Sequence, residues 1–150
     1  MIIIESYEKN TRNIDDDDAC RNCSMAEDRL NIDEFFSRDV SANPKVTLID
    51  FNGRGKERFS AYRSISVSDD RHLADRIAAA VAKDGSRAVA KEVSYKEGVL
   101  YYGFYSMGGK GKHRRYILYL NRRPTGKEKT TLVYLEADLD ADEVKRLINR

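Results

Sequence analysis

Two cysteines separated by two residues, Cys20-Arg-Asn-Cys23, are the first place where this sequence could do chemistry. In a thiol redox enzyme such a pair opens a helix beside a strand, and that setting lowers one thiol pKa. Here the pair follows Ile-Asp-Asp-Asp-Asp-Ala, and neighbouring carboxylates push a thiol pKa the other way. The expectation is two incidental thiols, with a local disulfide as the alternative if the chain is exported. Zinc wants four ligands, and there is neither a second CxxC nor a suitable histidine pair; His72 and His113 fall at a helix start and in a turn. Asp15–Asp18 are contiguous, without the spacing, glycine turn and distal glutamate of a calcium loop, so they read as a solvated acidic patch. Gly-Gly-Lys-Gly-Lys-His at 108–113 has the composition of a phosphate loop, but lacks the GxxxxGK[ST] order and a following helix. Neither GxSxG nor HExxH occurs, and Ser64 and Ser66 have no visible base. No catalytic residue, metal site or cofactor is therefore read from the sequence, and nothing in it favours an enzyme.

The stretch YYGFYSMGGKGKHRRYILYLNRR, residues 101–123, is more suggestive. Rings interleaved with cations can grip a nucleic-acid strand by stacking and charge neutralisation. The candidate binding residues are Tyr101, Tyr105, Lys110, Lys112, His113, Arg114, Arg115, Arg122 and Arg123. The same pattern also describes two ordinary strands and their turns. Alternation puts Val99, Tyr101, Gly103 and Tyr105 on one face, and Leu100, Tyr102 and Phe104 on the other. Successive turns of a meander lie at opposite ends of the sheet, and a strand of eight residues spans roughly 26 Å. The cations should then divide between two poles. This favours rings that fill a core and turns that are solvated, with nucleic-acid binding as the alternative. A tyrosine-bearing sheet face would also suit another protein or a second copy of the chain.

The elements that position these residues follow from patterning. The chain has 150 residues, 41% apolar and 35% charged, with net charge +2. That suits one domain of ordinary size and is a small charge for a dedicated nucleic-acid binder. No apolar run approaches the roughly 20 residues that span a bilayer. Residues 1–30 carry eight acids and four bases, whereas residues 108–129 carry eight bases and one acid. We expect a mobile acidic arm over 1–24 and a single domain over 25–150. Asn31 can cap a short helix through Phe36. Lys45–Phe51 and Glu57–Val67 alternate on either side of Asn-Gly-Arg-Gly, which is hairpin chemistry. A helix follows, capped by Asp69 or Asp70, with Leu73, Ile77, Ala80 and Val81 on one side and Gly85 at its end. Four strands come next, near 88–96, 99–107, 114–121 and 130–136, and a closing helix presents Val144, Leu147 and Ile148. The expected fold is α+β: a hairpin, a helix, a four-stranded antiparallel meander and a C-terminal helix, with the helices on one face.

The stretch from about Val46 to Leu147, taken with NIDEFF before it, resembles a family of small uncharacterised exported proteins from Bacteroidota, a domain of unknown function. The likeness lies in YRSISV, KEVSYKEGVLYYGFY, RRYILYLNRR, TTLVYLEAD and DEVKRLI. It implies a location outside the cytoplasm and a cell-envelope or partner-binding role, and it lends no catalytic residues. Taken literally, MIIIESYEKN is not a secretory signal, which on its own implies a cytoplasmic chain.

Overall fold

Strand-forming alternation dominates the chain. In the computed structural model, which describes residues 2–5, 29–51, 59–110 and 113–148, it produces one antiparallel sheet, so the fold is α+β. The strands are β1 (Ile2–Glu5), β2 (Val46–Phe51), β3 (Phe59–Ser68), β4 (Ala90–Lys96), β5 (Val99–Lys110), β6 (His113–Asn121) and β7 (Lys129–Ala137). Their spatial order is β1-β4-β5-β6-β7-β3-β2. Apart from Ile2–Glu5, the acidic arm lies outside the described residues, as do Asp15–Asp18, Cys20, Cys23, the Asn-Gly-Arg-Gly turn and Lys112. The β4–β5 turn is made by Glu97 and Gly98, both at positive φ. β7 joins the two parts of the sheet: it pairs with β6 on one side and with β3 on the other, where Leu132 meets Ile65.

A 3-10 turn (Asn31–Phe36), α1 (Arg38–Ser41) and α2 (Arg71–Gly85) precede or interrupt the strands, and α3 (Ala141–Ile148) ends them. Asp70 caps α2 by accepting from Leu73 N at 3.1 Å, and Asn43 Nδ2 donates to its other oxygen at 3.0 Å. These two bonds hold its carboxyl below the usual range. Leu73, Ile77, Ala80 and Val81 are buried as expected, against Ile65, Leu132 and Tyr119 of the sheet and Ile32 and Phe35 of the 3-10 turn. Gly85 closes α2 without a positive φ; its missing side chain is needed for packing on Tyr105.

The helices do not share one face. Val144 of α3 packs with Phe104, Tyr116, Val133 and Leu135, whereas Leu132, Tyr134, Tyr119 and Ile117 belong to the α2 side. The reason is visible in β7, where four consecutive residues from Leu132 to Leu135 are buried: a strand apolar on both sides needs a cover on each. The tyrosines divide accordingly, with Tyr105, Tyr119 and Tyr134 under α2 and Tyr62, Tyr102 and Tyr116 on the α3 face, so no single tyrosine-bearing face exists. The alternation expected along β5 also breaks. Ser94 pairs with Tyr102 and Tyr95 with Leu100, which leaves Tyr101 as the extra residue of a bulge and turns Leu100 to the α2 core.

Burial pushes the Tyr119 phenol up to about 12 and those of Tyr105 and Tyr134 further. An unfolded tyrosine ionises near 10, while these stay neutral in the fold, so the unfolded state loses protons first as pH rises. Their contribution to stability is complete below pH 10 and is lost as pH climbs from 10 through 12. In an alkaline titration, tyrosinate absorbance from the buried rings and loss of far-UV circular dichroism are expected to coincide. Full ionisation with the dichroism intact would contradict this.

Candidate functional site

β2, β5 and β7 end, and β3, β4 and β6 begin, at what we call the upper end of the sheet. His113 and Arg114 are exposed there at the start of β6, and Lys110 ends β5 opposite His113. Arg122 and Arg123 follow β6 at the lower end, roughly 26 Å away along the strand. Arg123 is held by Asp75 at 3.1 Å and Glu128 at 3.6 Å. Arg115 shares the α2 face with Tyr134, whose phenol donates to Glu136 at 2.6 Å and also interacts with Arg115. Tyr105 is only 4% exposed. Its ring fills the space left by Gly103 on its own strand and by Gly85 on α2, so it is a core residue and no part of a binding surface. Tyr101 is half-buried at the lower end, with Lys96 Nζ 5.7 Å from its ring centre. The structure thus separates the candidate residues into two poles and a core.

What the structure does bring together lies on the α3 face. Reading across the registers, one row runs Ala90, Ser106, Tyr116, Leu135, Tyr62, Phe51, and the next runs Glu92, Phe104, Leu118, Val133, Ser64, Ile49. Eight-residue α3 covers the middle of these rows. On its β4 flank is a groove with two lobes of about 310 and 280 Å³ that share Ser106 and Ala141. Lys145 reaches across the first lobe to Glu92 at 2.6 Å, its Nζ lying 5.5 Å from the Phe104 ring centre. The Tyr116 phenol donates to the Leu139 carbonyl at 2.6 Å, and burial raises its pKa.

On the other flank is β2, beyond which no strand lies among the described residues. Ile49 is 52% exposed and Phe51 42%, beside half-buried Tyr62 and Phe59, whose rings meet edge to face at 6.3 Å. Ser68 N donates to Lys45 O, which fixes the pairing phase of β2: residues 47, 49 and 51 bond to β3, and the N–H and C=O groups of Leu48 and Asp50 point away from the sheet. Sequence reading passed over Ile49 and Phe51, although both alternate with Leu48 and Asp50 in a short strand flanked by turn residues; only the strand order shows that β2 is an edge. Among the described residues there is no group of three or more His, Cys, Asp or Glu side chains able to hold a metal ion. No described helix is long and apolar enough to cross a membrane.

Compared with known proteins, residues 19–148 match a family of unknown function (DUF6108), and the chain belongs to that family. No curated protein and no solved structure matches it.

Proposed function

We propose that this member of the family is a non-catalytic binding module that acts outside the cytoplasm, where it adds an extended segment of a partner protein to the β2 edge. The carrying observation is the combination of two outward-facing backbone positions, Leu48 and Asp50, with two exposed apolar side chains, Ile49 and Phe51, on a strand that is the edge of the sheet among the described residues. Edge strands of soluble proteins are ordinarily blunted by charged residues, proline or bulges; here Pro44 and Lys45 guard the start of the strand and Asp50 its end, but Ile49 and Phe51 leave its α3-face side apolar and its pairing with β3 runs without a bulge. Strand addition would supply main-chain hydrogen bonds at 48 and 50, while Ile49, Phe51 and Tyr62 would select side chains. A binding rather than a catalytic role is supported by the way polar groups near α3 bond to one another, as in Lys145–Glu92 and Tyr116–Leu139. The resemblance to exported proteins supports the location.

A photo-crosslinking residue placed at 49 in the native host tests this reading. A discrete adduct that fails to form from position 79 on α2, and that Phe51→Asp removes, is expected. An adduct of twice the chain mass would replace the partner by a second copy, and absence of any adduct, or fractionation with cytosolic markers, would overturn the proposal. The separated cations make a further expectation: any binding to polyanions should weaken only shallowly with salt, because a single pole engages few phosphates. A steep loss, equivalent to about six or more released counterions, would restore the nucleic-acid alternative.

A further inference from the structure

We propose that the groove beside α3 is a binding site for a small organic acid, one oxyanion (carboxylate or phosphate) carried on a compact apolar body. Its two lobes differ in a way that matches such a ligand. The upper lobe is lined by Val89, Gly108, Gly109, Arg114, Arg115 and Tyr116 besides the shared residues, and none of these is acidic. In the second lobe Lys91 and Lys145 balance Glu92 and Asp142 around Ala90 and Phe104, so the apolar surface there carries no net charge. The lobes meet at Ser106 and Ala141, and together they reach the size at which pockets hold small ligands, upward of about 300 Å³.

Arg114 is the group that would take the oxyanion. The Tyr116 phenol commits its proton to Leu139, and the positive charge of Arg114, which lines the same lobe, restrains the burial-driven rise of the Tyr116 pKa. Arg114 lines the lobe as an exposed side chain, and its planar fork of N–H groups suits a two-pronged contact with carboxylate or phosphate. Arg115 contributes to the wall, since it interacts with Tyr134 on the other face. The nearest acids on α3, Asp140 and Glu143, bond reciprocally to each other's backbone N–H at 2.9 and 3.3 Å, which turns a carboxylate oxygen of each into the helix cap. Gly108 sits at φ 80, and a Cβ on Gly109 would collide with the His113 carbonyl, so the floor of the upper lobe is bare backbone. The rings of Phe104 and Tyr116, 5.6 Å apart, continue that floor into the apolar lobe.

Amide chemical-shift titration of the whole chain with phenylacetate, phenyl phosphate, inorganic phosphate and uncharged phenylethanol tests the site. One of the two aromatic acids is expected to bind with a Kd of about 1 mM or tighter, shifting Val89, Ser106, Gly108 and Gly109. Which acid binds better assigns the oxyanion. Inorganic phosphate and phenylethanol are each expected to bind at least about tenfold more weakly, since each lacks one half of the ligand. Arg114→Gln should weaken the aromatic acid by about tenfold or more without moving the melting temperature, and Ala141→Leu should block it by filling the junction of the lobes. Equal binding of phenylethanol, shifts centred elsewhere, an unchanged affinity in both variants, or no binding of either aromatic acid would each overturn the proposal.

Discussion

Asp84→Ala is expected to cost the fold about 3 kcal/mol or more, because it removes the acceptor of three short hydrogen bonds in a buried site. The Asp84 side chain is fully buried near the end of α2. One oxygen accepts from Asn31 N at 2.9 Å and Asn31 Nδ2 at 2.8 Å, and the other from Ile32 N at 3.0 Å. Arg87 approaches at 3.3 Å but is nearly half exposed, so its ion pair adds little. The carboxylate therefore satisfies the first amides of the 3-10 turn and pins that turn to α2, holding Ile32 and Phe35 in the core. Alanine leaves two backbone N–H groups unpaired. Asparagine keeps one acceptor but must turn a donor towards donors, so it is expected to recover only part of the loss. In urea unfolding the alanine variant should lose a corresponding fraction of its free energy, and its melting temperature should fall by about 6–12 °C. A change below about 1 kcal/mol would show that the turn is held by its apolar residues alone.

The second large effect concerns Tyr105. Its ring lies between two glycines: a Cβ built on Gly85 would come within 2.6 Å of its Cε1, and one built on Gly103 within 2.6 Å of its hydroxyl. Tyr105→Ala is expected to destabilise by about 3–5 kcal/mol, as for other large aromatic truncations in a core. Gly85→Ala tests the same contact from the other side. In a helix the change alone gains up to about 1 kcal/mol, but the clash with a ring held on both sides costs about 1–3 kcal/mol, so the net effect is a loss. In the Tyr105→Ala background the clash is gone, and Gly85→Ala should become neutral or stabilising. Urea unfolding of the four proteins gives the coupling directly, expected at about 2 kcal/mol. A cycle that closes to within about 0.5 kcal/mol would mean that the ring moves aside freely.

The class of the fold was legible because local signals agreed: alternation in Lys45–Phe51 and Glu57–Val67, and a 3.6-residue repeat with an aspartate cap before Leu73. Asp84 left a trace as well, since an acid in the last turn of a helix opposes the dipole and needs a compensating partner. Other features have no local signature. The bulge at Tyr101 is set by the register against β4, and it reverses which side chains of β5 turn inward. The side taken by α3 is the face that α2 leaves uncovered, which no pattern within α3 announces. Gly85 has the look of a helix terminator, yet it is required by a ring from a strand twenty residues later. The candidate ligand groove is equally non-local: Arg114, Ser106 and Ala141 come from separate elements that only the sheet brings together.

The position of β7 between β6 and β3 bears on how the chain is made. The hairpin of β2 and β3 can form early, and so can β4 to β6, but the seam between them waits for β7, which follows β3 only after α2 and three intervening strands. Closure across so many residues is slow. Until β7 is in place, a nascent polypeptide holds β3 with one side vacant and the two halves of the sheet unlocked, so that contacts made late set the pace at which the body becomes rigid.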